Sequence, residues 1–283
     1  MKEKAYAKIN LCLDVKGRRE DGYHELEMIM VPIDFYDTLE MYPAERTVLT
    51  NNRDFIPANN KNTVIKAINV LREHYGFDTQ FACHLQKYIP TRAGLAGGSA
   101  DAAAAIRMID KMLGLNMTLQ DKIDCAREVG ADVPFCIQSR PSFVKGIGET
   151  IMPFRCEPDF FVMLVKPKRG VSTKEAFEIC DSTYPQHPDC RKMCESLMVN
   201  DYRGIVDSLG NSLEDAALRL VPEIKQVKKL LTELGFDGVL MSGSGSTVFG
   251  ITKDEELVDK AMKQMRQKKL FVRKTKILTN TRF

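Results

Sequence analysis

A glycine-rich loop at residues 90–101 is the clearest sign of chemistry in this sequence of 283 residues. It reads Pro-Thr-Arg-Ala-Gly-Leu-Ala-Gly-Gly-Ser-Ala-Asp and leads into an alanine-rich segment with helical spacing. Glycines let the backbone approach an anion closely, and the free N–H groups at a helix start, together with the helix dipole, bind phosphate oxygens. The loop is therefore a candidate phosphate-binding site; the alternative is a tight strand-to-helix turn that needs glycine only for steric reasons.

A second loop of small residues, Ser-Gly-Ser-Gly-Ser-Thr at 242–247, lies between two predicted strands. Its backbone and hydroxyl donors could hold further phosphate oxygens, although such runs are more often flexible turns. The chain has no Walker sequence, no lysine strand of the protein-kinase type and no Gly-x-Gly-x-x-Gly after a strand. A nucleotide held by these loops must therefore be held by another scheme.

Two charged residues interrupt stretches that are expected to be buried. Lys8 lies in Ala-Lys-Ile-Asn-Leu near the N-terminus, and Asp132 lies in Gly-Ala-Asp-Val-Pro-Phe. Because a buried charge is costly unless it is paired, a Lys–Asp ion pair would account for both residues. The alternative is that each is a solvated charge on a loop or a strand edge.

A loose zinc-like pattern, His-x2-Cys-x3-Cys, occurs in the second half of the chain. Its candidate ligands are Cys180, His187, Cys190 and Cys194. The repeated Cys-x2-Cys of a structural zinc site is absent, and the eight scattered cysteines are expected to be reduced thiols. A zinc-dependent binding module remains a rival interpretation, and it predicts one bound metal per chain.

The elements that must position these residues follow from periodicity and end signals. Strands are predicted at 5–15, 23–34, 38–42, 81–88, 160–165, 238–241, 247–251 and 271–278. Helices are predicted at 62–76, 99–113, 118–130, 174–180, 212–220, 223–234 and 255–267. The two prolines in 153–159 indicate a boundary, so the interpretation is two α+β domains in series, 1–155 and 156–283.

The composition is that of an ordinary globular protein, with 44% hydrophobic and 28% charged residues. The net charge of +3 is too small to favour nucleic acid or a membrane surface as the main partner. The charged residues 1–5 run directly into a predicted strand, so neither a signal peptide nor a membrane span is expected, and a cytoplasmic location is predicted. No heptad repeat or apolar stripe indicates an oligomeric state.

The motifs together resemble those of the 4-diphosphocytidyl-2-C-methyl-D-erythritol kinases. The resemblance begins with Lys-Ile-Asn-Leu at 8–11 and Lys-Gly-Arg-Arg-Glu-Asp-Gly-Tyr-His-Glu-Leu at 16–26. It continues in family order through the loop at 90, Gly-Ala-Asp-Val-Pro-Phe at 130, Gly-Ile-Gly-Glu at 146, Val-Ser-Thr-x-x-x-Phe at 171 and Met-Ser-Gly-Ser-Gly-Ser-Thr-Val-Phe at 241. It implies the two-domain α+β kinase fold of the galactokinase, homoserine kinase and mevalonate kinase superfamily.

The resemblance also implies the function and the site. It implies transfer of a phosphoryl group from ATP, with Mg²⁺, to the 2-hydroxyl of a small cytidine-linked substrate in non-mevalonate isoprenoid synthesis. Lys8 and Asp132 match the family's catalytic pair. The ATP phosphates would contact Pro90, Ala93, Gly94, Leu95, Ala96, Gly97, Gly98, Ser99 and Ala100. The substrate would contact Asn10, Tyr23, His24, Thr173 and Phe177, with the cytosine ring between Tyr23 and Phe177 and its polar edge on His24.

The chain departs from the family loop, commonly Ala-Gly-Leu-Gly-Gly-Gly-Ser-Ser-Asp, at two positions. Ala96 replaces a glycine and is expected to adopt a negative φ. Ala100 replaces a serine and so removes a hydroxyl that could touch phosphate or metal, which leaves the metal ligands unknown. The rival interpretations that remain are a homoserine or mevalonate kinase and a non-catalytic sensor on the same fold.

Overall fold

Eleven strands and ten helices are found in a computed structural model that describes residues 1–183 and 185–281. The strands are β1 (Lys2–Arg18), β2 (His24–Ala44), β3 (Val48–Asn51), β4 (Gln80–Gln86), β5 (Ser142–Gly146), β6 (Thr150–Pro153), β7 (Phe161–Lys166), β8 (Gly210–Asn211), β9 (Gly238–Met241), β10 (Val248–Thr252) and β11 (Phe271–Thr275). The helices are α1 (Thr63–Tyr75), α2 (Gly97–Leu113), α3 (Leu119–Val129), α4 (Val133–Gln138), α5 (Thr173–Asp181), α6 (Cys190–Met198), α7 (Tyr202–Asp207), α8 (Glu214–Leu220), α9 (Glu223–Glu233) and α10 (Glu255–Gln267).

The first sheet is built on the long antiparallel pair β1 and β2. Its strand order is β3-β4-β2-β1-β8, and β5 pairs with β2 and with β6. Helices α1 to α4 cover one face, where α2 packs against both β1 and β2. The alanines of α2 are buried in this core because their small side chains let the helix lie close to the sheet. The start of α2 is thereby held rigidly beside the first strand.

The second sheet is antiparallel, with the order β11-β7-β10-β9. Helices α9 and α10 pack against it around a separate core. A third cluster joins the two sheets, since Ile9 and Leu11 of β1 pack with Val162 of β7 and Phe249 of β10. The second half also supplies β8, which pairs with β1 in the first sheet. The division at residue 155 stays a prediction; the segment 154–160 lies between β6 of the first sheet and β7 of the second.

The ends of helices α1 and α3 lie at the capping residues that the sequence predicts. The Asn62 side chain accepts a hydrogen bond from Val64 N, and Gly76 ends α1 at φ 65°. Thr118 and Asp121 form the capping box of α3. The α+β fold is therefore encoded largely by short-range patterns.

Some observed strands and helices differ from the predicted ones, because burial in the folded chain outweighs the preferences of neighbouring residues. The predicted strands 23–34 and 38–42 are one strand, β2, because Asp37 between them is buried with its carboxylate satisfied: it accepts a hydrogen bond from Ile89 N. The sequence analysis missed β3, β5, β6, β8, α4, α6 and α7, which are mostly too short to show a period. Within residues 1–183 and 185–281 no helix is long and apolar enough to cross a bilayer.

Candidate active site

Two cavities open side by side where the sheets meet. The first encloses about 740 Å³ and the second about 770 Å³. The first is lined by the turn between β1 and β2, by α5 and by Lys8; the second is lined by the glycine-rich loop and the segment before α5. Five residues line both cavities: Gly94, Ser99, Asp132, Thr173 and Ser244. A group bound in one cavity can therefore meet a group bound in the other at these residues.

The start of α2 forms the floor of the second cavity. Ala96 is the N-cap residue, and its side chain makes no capping hydrogen bond. The N–H of Ala100 makes the first hydrogen bond within the helix, to Ala96 O at 2.9 Å. The N–H groups of the first turn therefore have no helical acceptor and suit an anion. Residues lining the cavity include Pro90, Ala93, Gly94, Leu95, Ala96, Gly97, Gly98 and Ser99.

The structure corrects two expectations about this loop. Ala96 has φ 55°, in the left-handed region, and not the negative φ expected from its side chain. Ala100 is 2% exposed, packs in the core and does not line the cavity. Its methyl group therefore does not replace a hydroxyl that faced the phosphates, and Ala100 is not part of the phosphate site.

Replacing Ala96 with glycine is expected to raise the free energy of unfolding slightly, by up to about 1 kcal/mol. Glycine relieves the left-handed backbone penalty of about 1–2 kcal/mol, and its greater freedom in the unfolded chain offsets part of that gain. Urea unfolding of both proteins measures the difference, with Ala103→Gly inside α2 as the control, which should be destabilised. A large loss of stability in the Ala96→Gly protein would contradict the strained conformation.

The second small-residue loop packs directly on the first. Gly94 has φ 70°, and a Cβ added there would lie 1.9 Å from the carbonyl oxygen of Ser242. The Ser242 hydroxyl donates to Gly94 O at 2.9 Å. Only glycine permits this approach, so residues 242–247 form a wall of the site and not a free turn.

Lys8 and Asp132 are brought together as the sequence analysis expected. Lys8 Nζ lies 3.6 Å from Asp132 Oδ2. The lysine side chain is 5% exposed, whereas that of Asp132 is 38% exposed, so the carboxylate faces the cavities and is not buried. The backbone N–H of Lys8 also donates to Leu95 O, which ties β1 to the glycine-rich loop. A carboxylate beside a buried cation can orient or deprotonate a hydroxyl.

Asn10 occupies a different place from the one expected. It is fully buried, its Oδ1 accepts from Lys8 Nζ at 2.6 Å, and it lines neither cavity. Its backbone N–H donates to the Ser242 hydroxyl at 3.3 Å. Asn10 therefore positions Lys8 and does not reach the substrate cavity directly.

The far end of the first cavity contains aromatic side chains. Tyr23 is 61% exposed, and the His24 ring stacks on Phe177 with centroids 4.5 Å apart and planes 22° apart. One face of the Phe177 ring is thus covered by His24. Thr173 lies nearer the loops, where its hydroxyl shares a hydrogen bond of 2.8 Å with Ser244.

A buried charge cluster beneath the glycine-rich loop was missed by the sequence analysis. Lys87 Nζ contacts the carboxylates of Asp37 and Asp101, and all three residues are buried. Burial alone would lower the pKa of Lys87, but the two carboxylates raise it. Burial also raises the pKa of Asp101 to about 7, against the effect of Lys87. The one available signal was a charge at each of these positions inside otherwise apolar segments.

Replacing Asp101 with asparagine is expected to change how stability depends on pH. Because the pKa of Asp101 rises on folding, from 3.8 to about 7, the native state binds its proton more tightly. The wild type should therefore lose stability relative to the variant as the pH rises through this window, by at most about 1.4 kcal/mol per pH unit. Denaturant unfolding at pH 5, 6, 7 and 8 tests this, and a difference that is flat or grows with pH would contradict it.

Three of the four residues of the zinc-like pattern contact different partners. Cys190 Sγ lies 2.7 Å from Cys12 Sγ, His187 Nδ1 lies 2.7 Å from Asp14 Oδ1, and Cys180 Sγ donates to Ser212 O. Across the described residues, no group of three or more His, Cys, Asp or Glu side chains is placed to hold a metal. In the described part of the chain, the interpretation as a zinc module is therefore not supported by any cluster of ligands.

Family models match stretches in both halves of the chain. Residues 62–140 match the N-terminal domain of GHMP kinases and residues 192–270 match their C-terminal domain. Two solved structures with sequence identities of 20% or less share the fold. Homoserine kinase from Cytophaga hutchinsonii has a TM-score of 0.74 at 20% identity, over 97% of this chain and 95% of its own. Mevalonate kinase from L. major has a TM-score of 0.73 at 16% identity over 100% and 97% of the two chains. The chain is thus a GHMP kinase, an ATP-dependent small-molecule kinase.

More similar proteins define the family within this class. A 4-diphosphocytidyl-2-C-methyl-D-erythritol kinase from Bacillus pumilus is 40% identical over 267 residues, covering 93% of this chain and 92% of the relative. One from Exiguobacterium sibiricum is 39% identical and covers 89% of each. The crystal structure of a 4-(cytidine 5'-diphospho)-2C-methyl-D-erythritol kinase has a TM-score of 0.81 at 32% identity, covering 97% of this chain and 99% of that one. The chain belongs to the family of 4-diphosphocytidyl-2-C-methyl-D-erythritol kinases.

Proposed function

We propose that this chain transfers the γ-phosphoryl group of ATP to the 2-hydroxyl of 4-diphosphocytidyl-2-C-methyl-D-erythritol, a step of non-mevalonate isoprenoid synthesis. The observation that carries the proposal is the position of Asp132, which lines both cavities and lies beside Lys8. Phosphoryl transfer needs mainly positioning and neutralisation of charge, and a shared carboxylate–lysine pair supplies both. Because the reaction draws on ATP, we place it in the cytoplasm.

The phosphates of ATP lie in the second cavity. The uncapped N–H groups at the start of α2 hold their oxygens, and the loop at 242–247 closes the other side. A third cavity of about 620 Å³ continues from it and shares Lys87, Pro90 and Gly170. The rings of Phe55 and Tyr88 are exposed there, and they offer the adenine base a surface to stack on.

The acceptor substrate occupies the first cavity. Its hydroxyl meets Asp132, which takes up or orients the proton, while Lys8 neutralises charge on the reacting oxygens. The cytosine ring lies at the aromatic end, between Tyr23 and Phe177, with its polar edge on His24.

Magnesium fits this site as a partner of the ATP phosphates. Mg²⁺ prefers oxygen ligands and is usually held by one or two carboxylates together with substrate phosphates. Residues lining the second cavity include two carboxylates, Asp132 and Glu175, and the hydroxyl of Ser99. These residues would hold the ion, which supplies charge neutralisation on the phosphates when it is bound.

The test is ATP consumption by the purified protein with Mg²⁺, offered the cytidine-linked methylerythritol, mevalonate and homoserine separately. The mass of the cytidine compound alone should increase by one phosphoryl group. Phosphorylation of mevalonate or homoserine instead would show that the chain is a mevalonate or homoserine kinase. Tight binding of the cytidine compound without turnover would favour a sensor on the same fold and would overturn the proposal.

A further inference from the structure

The aromatic end of the first cavity contains a histidine–aspartate contact whose aspartate none of the family motifs covers. His24 Nε2 lies 2.6 Å from Asp181 Oδ1, although the two residues are 157 positions apart in the chain. Both line the cavity, with 12% of the histidine side chain and 30% of the aspartate side chain exposed. The contact is therefore part of the cavity wall, and the entering ligand meets it directly.

Helix α5 places Asp181 on the same face as two other residues that line the first cavity. Thr173, Phe177 and Asp181 are spaced by four residues and thus lie on one face of the helix. Thr173 contacts the 242–247 loop, Phe177 stacks on His24, and Asp181 binds the same imidazole. At 1.5 Å per residue this face spans about 12 Å, from the phosphate loops to the base end.

The carboxylate determines which nitrogen of His24 carries the proton. An ionised aspartate only accepts hydrogen bonds, so His24 Nε2 must be the donor. In that neutral tautomer Nδ1 is an acceptor. An acceptor matches the exocyclic amino group of cytosine, which donates, and repels the O4 carbonyl that uracil carries at the same place.

We propose that Asp181 is a positioning residue that makes the base site selective for cytosine over uracil, by holding His24 in the tautomer whose Nδ1 accepts a hydrogen bond. The inference rests on the proposed function, because it assumes that a cytidine-linked substrate enters the first cavity. The second oxygen of Asp181 lies 4.0 Å from Arg18 Nη1, so a cation on β1 helps to keep the carboxylate in place.

The experiment compares kcat and KM for the cytidine-linked substrate and for the same molecule with uracil in place of cytosine. Asp181→Ala should lower the preference for cytidine, measured as the ratio of the two kcat/KM values, about tenfold, which is the effect of losing one hydrogen bond to a charged group. The loss should lie in KM, with kcat at saturating cytidine substrate changed less than about twofold. Asp181→Asn retains an acceptor oxygen and should keep most of the preference.

The matched control is Glu128→Ala. Glu128 makes the same kind of contact, 2.7 Å from His74 Nε2, on helices away from both cavities, and its removal should leave both substrates unaffected. An Asp181→Ala protein that keeps the wild-type preference within twofold would overturn the proposal. So would a loss confined to kcat, since a residue that acts through base recognition must change KM.

Nitrogen NMR of the His24 ring in the ligand-free protein gives a second measurement that does not depend on turnover. The wild type should show Nε2 protonated and Nδ1 unprotonated, and Asp181→Ala should populate both tautomers. Protonation of Nδ1 in the wild type would overturn the inference. If the wild type fails to phosphorylate the cytidine compound, the proposed function fails, and the NMR result still decides whether Asp181 sets the tautomer.

Discussion

Replacing Asp132 with asparagine is expected to lower kcat by about 10²- to 10⁴-fold while leaving binding of the cytidine-linked substrate within about threefold. The amide keeps the shape of the side chain but cannot accept the hydroxyl proton, and general base catalysis contributes an effect of this size. Binding is retained because the base end of the first cavity is formed by Tyr23, His24 and Phe177, away from Asp132. Single-turnover kinetics and calorimetric titration measure the two quantities separately.

Urea unfolding separates an effect on folding from this result. Asp132 makes no side-chain cap on α4 and its carboxylate is partly exposed, but the change removes the ion-pair partner of the buried Lys8, which keeps its hydrogen bond to Asn10 Oδ1. Some fall in the free energy of unfolding is therefore expected. Asp207→Asn, on an exposed helix with Arg203 as its partner, is a suitable control and should retain wild-type kinetics. Turnover of Asp132→Asn within tenfold of the wild type would show that another group accepts the proton.

Replacing Lys8 with methionine is expected to lower kcat by about 10²- to 10³-fold, the range found when one group that stabilises transition-state charge is removed. Unlike Asp132, Lys8 is buried, and its loss leaves Asn10 Oδ1 without its donor. The free energy of unfolding should therefore also fall, by about 1–3 kcal/mol. Stopped-flow kinetics and urea unfolding of the same preparation measure both effects.

The double variant, Lys8→Met with Asp132→Asn, tests whether the two residues act as a unit. Groups that work on the same transition state are strongly non-additive, so the double variant should lose little more than the worse single variant. Losses that multiply would mean that Lys8 and Asp132 act independently, in spite of the 3.6 Å between them. As a stability control, Lys66→Met removes a lysine whose ammonium group donates to the main-chain carbonyl of Val129, outside both cavities.

Most of the fold and the main parts of the site could be predicted from the sequence. Helix α10 was predicted with its observed bounds, and the caps of α1 and α3 are those expected. The proximity of Lys8 and Asp132 was also predicted. The cost of a buried unpaired charge left this pair open beside two solvated charges, and the resemblance to the kinase family favoured the pair. These features depend on neighbours in sequence or on family motifs, so a pattern was enough to reveal them.

Two features could not be predicted because they depend on residues far apart in the chain. Ala96 adopts a left-handed φ where α2 begins beside β1 and β2, against the preference of its own side chain. Lys87 joins Asp37 and Asp101 only after two strands and a helix pack together. A charge inside each apolar segment is the only local signal of this cluster, and it does not reveal which residues pair.

The sequence by itself determined the α+β class, through its periodicity, and the kinase family, through motifs in family order, because both are properties of neighbouring residues; the phosphate and base sites stay predictions. Only the tertiary structure decided how these parts meet: that Asp132 is shared by two cavities, that Asn10 supports Lys8, and that Asp181 holds His24. The physical reason is that hydrogen bonds and ion pairs between distant segments form only when burial of the apolar cores brings the sheets together.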